Sequence, residues 1–290
     1  MSTCPLCQAE AAREFTRVES FGYPLSYLQC GHCGFIFQDP EKTEAANPSF
    51  YAETYRKIYQ ASPEPTAKDL RQQELRASDQ LDFLQAQGIK PKRVLDIGAS
   101  SGLLLAKLRE GLRAEVGGVE PGDAYRAMAQ ARGISVSPSI EALIASKPER
   151  FDLVSLMHVL EHLPDPLGSL RQIREELLSP DGFLLVEVPN FYAHDAYELA
   201  HLACYTPHSL RQMLRRAGFE VLVERQHGWP RSRTLPLYLG ILAKPAPGAE
   251  ETAVQTESGV GLKRSWGMLK RKILTRIMPA KTWLPLEGPQ

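Results

Sequence analysis

Between residues 93 and 243 short apolar runs alternate with segments of helical pattern, and no other feature constrains the fold as tightly. The runs near Val94–Ile97, Val116–Glu120, Ile134–Val136, Leu153–Met157, Phe183–Val188, Glu220–Glu224 and Leu237–Ala243 read as strands. Helices are expected near 102–110, 123–132, 139–146, 167–178 and 207–217. Such alternation predicts a doubly wound α/β domain, a parallel sheet covered on both faces. Ligands of these sheets bind beyond the carboxyl ends of the strands. The residues that follow each strand are therefore the ones that matter for function.

The first strand runs into Asp96-Ile97-Gly98-Ala99-Ser100-Ser101-Gly102, which opens a helix. Glycines here let the backbone turn sharply and approach a ligand. The second strand ends in Gly117-Gly118-Val119-Glu120-Pro121, and a carboxylate there can accept both hydroxyl protons of a ribose. The spacing is not the G-x-G-x-x-G of dinucleotide dehydrogenases, since the glycines are Gly98 and Gly102 only. An ordinary strand–helix turn that binds nothing is the plainer alternative.

The loop resembles motif I of class I methyltransferases, D-x-G-x-G-x-G, with Ser100 in place of the middle glycine. Residues 151–166, Phe-Asp-Leu-Val-Ser-Leu-Met-His-Val-Leu-Glu-His-Leu-Pro-Asp-Pro, are similar to the F-D-x-V-x-x-x-x-V-L-E-H-x-x-D-P signature of that family. The turn Leu178–Gly182, the strand Phe183–Val188 and the segment Tyr205–Leu210 leading to Gly218-Phe219 continue the resemblance in order, over roughly residues 90–243. It implies a Rossmann-like, seven-stranded methyltransferase sheet and S-adenosylmethionine as cofactor. On this resemblance Asp96, Gly98, Ser100, Gly102, Glu120, Met157 and His158 are the cofactor-binding candidates.

Methyl transfer needs donor and acceptor held at near-attack distance. An oxygen or carbon acceptor often needs a base near neutral pKa as well. His158 and His162 follow the fourth strand, and His194, His201 and His208 follow the fifth. Glu161-His162 has three readings: a turn support, a contact to cofactor or substrate, or a divalent-metal site, for which one acid and one histidine are too few ligands. Tyr197–Thr206 resembles a degraded form of the E-H-x-x-Y-[FY]-[ST] segment of nucleotide-sugar C-methyltransferases, which also carry an N-terminal four-cysteine zinc module. That resemblance implies His201 as catalytic base, helped by His162. Ala200 departs from it by standing where that family has Glu, and no second large domain is read after the seventh strand. A packing role for His201 stays open. The acceptor is accordingly read as a sugar, a glycan or another small molecule. O-methylation of a quinone- or phenol-like metabolite is the alternative, and a non-catalytic cofactor-binding module is the reading from a different class.

Four of the five cysteines form two pairs, Cys4-Pro5-Leu6-Cys7 and Cys30-Gly31-His32-Cys33, read as knuckles separated by one short loop. Each Cys-x-x-Cys can present both thiolates to one tetrahedral ion, and two complete a closed, structural zinc site. Four reduced cysteines packed in a core is the alternative. A redox role is disfavoured, because neither pair lies in a βαβ context.

These readings divide the chain into a zinc-binding module (1–40), a linker and helical lid (41–90), the catalytic domain (91–244) and a linker with a basic amphipathic tail (245–290). The lid region is expected to hold a short helix around Tyr51–Tyr59 and a longer one over 66–87, started by Thr66 and Asp69. In the tail, Leu262, Trp266, Leu269, Ile273 and Ile277 recur at steps of three or four among Lys263, Arg264, Lys270, Arg271, Lys272 and Arg276. Residues 261–278 therefore suit an anionic membrane surface or an acidic partner, or else dock on the catalytic domain. Lys+Arg and Asp+Glu both total 34, so no net field recruits nucleic acid. Val188-Pro189-Asn190-Phe191 is also not the N-P-P-Y tetrad of nucleic-acid methyltransferases. No secretory signal is read at Met1–Cys4 and no apolar run approaches a membrane span, so the protein is expected to be cytoplasmic, with peripheral membrane contact open through the tail.

Overall fold

The computed structural model describes residues 2–40, 42–43, 65–246, 248 and 252–285. The helix expected around Tyr51–Tyr59 lies outside these residues. The elements in chain order are β1 (Ala12–Ser20), β2 (Tyr23–Cys30), β3 (Ile36–Gln38), α1 (Ala67–Ala86), β4 (Arg93–Ile97), α2 (Leu103–Leu112), β5 (Glu115–Val119), α3 (Asp123–Ala131), β6 (Ser135–Ser137), α4 (Ile140–Ala145), β7 (Phe151–Met157), α5 (Pro166–Gln172), β8 (Leu178–Pro189), β9 (Ala203–Cys204), α6 (Pro207–Arg216), β10 (Phe219–His227), β11 (Tyr238–Pro245), α7 (Val260–Ile277) and α8 (Pro279–Thr282).

Seven strands form the main sheet in the order β10-β11-β8-β7-β4-β5-β6. The strands β6, β5, β4, β7 and β8 run parallel, as the alternation predicts. Of the other two only β11 departs from the parallel expectation: it is antiparallel to both β8 and β10, so β10 keeps the common direction. Parallel neighbours need a crossover of a dozen or more residues, usually helical. Residues 228–237 contain no helix, so β11 can only turn back between β10 and β8.

Strand order reverses between β4 and β7, which puts the ends of β4, β5, β7 and β8 around the crevice where such sheets bind ligands. Val94, Leu95, Leu153, Val154, Leu184 and Leu185 are fully buried at the sheet centre. Helix α1 starts with the capping box expected of Thr66 and Asp69. It reaches over the sheet end, where Gln73 accepts from Ser101 at 2.6 Å and Gln80 donates to Glu187 at 2.6 Å. The helix expected over 167–178 ends sooner: α5 passes into a π-turn at Ile173–Leu177, and β8 begins at Leu178.

The N-terminal region is more elaborate than two knuckles and a short loop. A full hairpin, β1–β2, separates the cysteine pairs, and it belongs to a second sheet ordered β1-β2-β3-β9. Strand β9 comes from the segment that follows β8, so the two regions share backbone hydrogen bonds. They share a core too. Leu6, Phe35 and Phe37 lie in one buried cluster with Leu156, Val186 and Tyr205. Burying each ring contributes on the order of 2 kcal/mol.

The segment after β11 is read from sequence as a flexible linker, yet its described part is pinned. Glu257 is buried, accepts from Thr206 Oγ1 at 2.6 Å and from the Tyr192 hydroxyl at 2.7 Å, and donates its N–H to the Cys33 carbonyl. A buried carboxylate held by two hydroxyls fixes the chain, which composition cannot reveal. No described helix is long and apolar enough to cross a membrane.

Candidate active site

The loop after β4 rests on the end of β5. The N–H groups of Gly98 and Ala99 both donate to the Val119 carbonyl, at 2.8 and 2.9 Å. Gly98 has φ +80°, and a Cβ there would lie 2.4 Å from Val159 Cγ2. Gly102 has φ +78°, with Ala129 Cβ 2.8 Å from the place a Cβ would take. Both positions therefore need glycine, for conformation and for space. Ser100 adopts positive φ without being glycine, at +50°.

Glu120 ends β5 and holds this loop. One carboxylate oxygen accepts from Ser100 N at 3.0 Å and the other from Gly122 N at 2.7 Å. Each oxygen of a carboxylate has two acceptor sites, so a carboxylate so placed can orient the loop and bind ribose hydroxyls together. Asp96 sits below, 3% exposed, and accepts from Ser155 Oγ at 2.6 Å. Burial, helped by the Glu120 charge, pushes its carboxyl up to about 7. Met157, at the end of β7, is partly buried.

Beyond β7 and β8 two polar clusters meet at His158. The first centres on Glu187, a carboxylate 1% exposed inside the apolar strand β8. His158 Nε2 lies 3.1 Å from one of its oxygens, and His227 Nε2 lies 3.0 Å from the other. Its pKa is held well below the usual range; burial opposes this, but His158 and His227 outweigh it. His158, with φ +57°, also places Nδ1 3.5 Å from Glu161 Oε1. Burial and Arg76 push its ring toward neutrality, yet the two carboxylates prevail and its pKa is raised. The Tyr238 ring lies edge-on to His158 at 5.0 Å, and its hydroxyl accepts from Arg76 at 3.1 Å.

The second cluster holds Glu161, His162 and His201. The histidine rings stand 5.0 Å apart. His162 Nδ1 is 2.8 Å from the Ala200 carbonyl, and His201 Nδ1 is 3.2 Å from the Ala196 carbonyl. A carbonyl only accepts, so both Nδ1 atoms carry the proton and both Nε2 atoms keep a lone pair. Burial lowers the pKa of each ring, although Glu161 works against it. Glu198 Oε2 reaches within 3.6 Å of His201 Nε2. Burial pushes its carboxyl up to about 7. Glu198, two residues before Ala200, thus brings a carboxylate to His201 where the glutamate expected at 200 is missing.

Neither Glu161 oxygen accepts a hydrogen bond among the described residues. Donor atoms of Glu161, His162 and His201 all lie within 4.8 Å of one another. The pair Glu161-His162 alone is too small a ligand set, but His201 adds a third donor, and a carboxylate with two neutral imidazoles suits a divalent transition ion. His208, grouped with His194 and His201 in the sequence reading, stands apart with its Nε2 on the Gln255 carbonyl at 2.9 Å. His227, from β10, takes its place in the site. The one signal for Glu187 was an acid inside an otherwise apolar strand; Gln80, Arg76 and Tyr238 carried none.

The four cysteines converge. Cys4 Sγ is 3.6 Å from Cys33 Sγ, Cys7 Sγ is 3.5 Å from Cys30 Sγ, and all four sulfurs lie within 4.8 Å of one another. A disulfide would require about 2.05 Å. A zinc tetrahedron with Zn–S of about 2.3 Å has sulfur–sulfur edges of about 3.8 Å, which these distances fit. Burial pushes the Cys7 thiol up to about 12, while Cys33 is raised by the sulfur of Cys4 and by burial. Four sulfurs so placed could hold one tetrahedral ion.

A parallel-centred sheet of this order, with a glycine loop after β4 and an acid ending β5, is the framework of an S-adenosylmethionine-dependent methyltransferase. The family described as a methyltransferase domain matches residues 70–224, more than half of the chain, and the chain belongs to that family. It is 38% identical over 124 residues to a ubiquinone biosynthesis O-methyltransferase from Actinobacillus pleuropneumoniae serotype 5b (strain L20), which is 38% of this chain and 52% of that protein. It is 35% identical over 106 residues to the protein of the same name from Nitrosospira multiformis, covering 34% and 44%. The chain spans about half the length of the curated relatives it matches. Among solved structures, the Burkholderia thailandensis 1,6-didemethyltoxoflavin-N1-methyltransferase, with bound 1,6-didemethyltoxoflavin and S-adenosylhomocysteine, superposes with a TM-score of 0.55 over 80% of this chain and 100% of that one. At 20% identity this shows a shared fold.

Proposed function

We propose that this methyltransferase acts on a hydroxyl oxygen of a small-molecule acceptor, of the phenol- or quinone-like class, with His201 as the base. The observation that carries the reading is a pair of neutral histidines, His201 buried and His162 partly buried, whose Nε2 lone pairs converge beside Glu161 and Glu198. The loop from Gly98 to Gly102 and Glu120 would hold S-adenosylmethionine, with Asp96 supporting the loop and Met157 and His158 on the side toward the acceptor. Bound there, the cofactor supplies an electrophilic methyl group. His201 takes the acceptor hydroxyl's proton on Nε2, its Nδ1–H staying on the Ala196 carbonyl. His162, one ring away, and Glu161 stabilise the imidazolium that results. Helix α1 reaches over the sheet end through Gln73 and Gln80. Relatives named as ubiquinone biosynthesis O-methyltransferases support the acceptor class.

A second reading, a sugar or glycan acceptor, is favoured by one observation: Glu198 reaches His201, restoring the acid–histidine pair of the nucleotide-sugar resemblance. In either case Cys4, Cys7, Cys30 and Cys33 hold a structural zinc ion that stabilises the N-terminal strands. The deciding experiment is a turnover screen with methyl-labelled cofactor across catechols, hydroxyquinones and sugar nucleotides. Label transfer to the phenolic acceptors is expected. Transfer to sugar nucleotides alone overturns the first reading in favour of the second.

A further inference from the structure

Helix α7 docks on the catalytic domain through small and cationic residues. At Gly267 a Cβ would lie 1.8 Å from the Tyr192 carbonyl oxygen, so only glycine permits this approach. Arg264, almost fully buried, donates to the carbonyls of Phe191 and His194 and stands 4.8 Å from the Phe191 ring centre. Arg271 donates to the Ala193 carbonyl at 3.2 Å. Three contacts to carbonyls within residues 191–194 set the rotation of the helix.

That rotation turns the apolar stripe outward. Leu262, Trp266, Leu269, Ile273 and Ile277 are between 46% and 72% exposed. They follow one another at steps of four, three, four and four, which is a single face of an α-helix. Helical geometry puts Lys263 and Lys270 along one border of this face and Lys272 and Arg276 along the other, and all four are exposed. Lys263 also reaches Glu257, at 3.1 Å. The helix contains no acidic residue.

A contiguous exposed apolar face rimmed by charge marks an interaction surface. A second copy of this helix covers it badly, because cations would meet cations with no carboxylate on either side. An anionic bilayer fits each part. Hydrocarbon takes the aliphatic side chains, the indole sits at headgroup depth, and the bordering cations meet lipid phosphates. We propose that α7 lies in the plane of an anionic membrane surface and docks the enzyme there through Leu262, Trp266, Leu269, Ile273 and Ile277. Its inner face holds the carbonyl of His194, whose ring is 5.8 Å from Tyr238, so the acceptor-side cluster lies directly behind the docked helix. The inference holds for either acceptor class.

The test is flotation of the full chain with vesicles of phosphatidylcholine alone or mixed with phosphatidylglycerol. The protein should float with the anionic vesicles only, and added salt should release it. Trp emission should shift to the blue on binding, and Trp266→Phe should abolish the shift. Leu269→Ser combined with Ile273→Ser, and separately Lys270→Glu, should each lower partitioning by about tenfold or more. These exposed positions should leave the circular dichroism spectrum and the Tm unchanged. The proposal is overturned by equal or absent flotation on both vesicle types, or by wild-type partitioning of the variants. Binding to polyglutamate without binding to vesicles also overturns it and assigns the face to an acidic protein. A concentration-dependent dimer abolished by Leu269→Ser, again without vesicle binding, overturns it in favour of a second copy.

Discussion

His158 Nε2 stands 3.1 Å from Glu187 Oε1, a carboxylate buried within β8, while its Nδ1 faces Glu161 at 3.5 Å. One imidazole thus joins the carboxylate behind the acceptor-side aromatics to the one beside His162 and His201. Such a bridge couples the charge of both clusters to pH and to stability.

The His158–Glu187 pair contributes stability over a defined window. The raised pKa of His158 means that its contribution is complete below its ordinary value of 6.5 and fades as pH rises through the folded value. The lowered pKa of Glu187 means that its contribution is complete above 4.5 and fades as pH falls through the folded value. Glu187→Ala takes from the partly buried His158 and His227 the carboxylate they share and should cost about 1–3 kcal/mol. In thermal melts the Tm gap between wild type and Glu187→Ala should be widest between pH 4.5 and 6.5. A gap independent of pH would show that Glu187 acts by packing alone.

His201→Ala should lower kcat by about a hundredfold and leave S-adenosylmethionine affinity nearly intact. Burial lowers the pKa of His201, so its neutral, basic form persists to below pH 6.5 and the acid limb of the rate profile should fall below that value. Glu198→Gln should move that limb, being 3.6 Å from the same nitrogen. A wild-type rate in His201→Ala would return the residue to a packing role.

Elemental analysis of protein purified without chelator should find one zinc per chain. Cys30→Ser should abolish it and lower the Tm, because thiolate–metal binding free energy is folding free energy. The shared core of Phe35 and Phe37 with Leu156 and Val186 carries the effect into the catalytic domain, so cofactor affinity should weaken as well. Full metal content in Cys30→Ser would remove that residue from the site.

Glu120→Ala removes two acceptors of loop N–H groups along with the expected ribose contacts. Charge-assisted hydrogen bonds contribute roughly 1.5–3 kcal/mol, which corresponds to about ten- to a hundredfold in affinity. Calorimetry with S-adenosylhomocysteine measures it. Unchanged affinity would place the cofactor elsewhere.

Local pattern was enough for most strands and helices of residues 93–243, though not for β9 or the early end of α5, and for the Thr66–Asp69 cap, the glycine loop with Glu120, and the cysteine spacing. Each is encoded within a few consecutive residues by periodicity, φ preference or ligand spacing. The remaining features depend on contacts between residues far apart in the chain. The antiparallel pairing of β11 with β8, the pairing of β3 with β9 and the burial of Glu257 rest on partners about 50 to more than 200 residues away. His227 joins the site and His208 leaves it because β10 runs past Glu187 while α6 points elsewhere. The stripe on α7 shows the division most clearly. Its apolar period was plain in the sequence, but an amphipathic period says only that one face differs from the other. The close approach of Gly267 to Tyr192 and the two arginines on the 191–194 carbonyls decided that the apolar face looks outward.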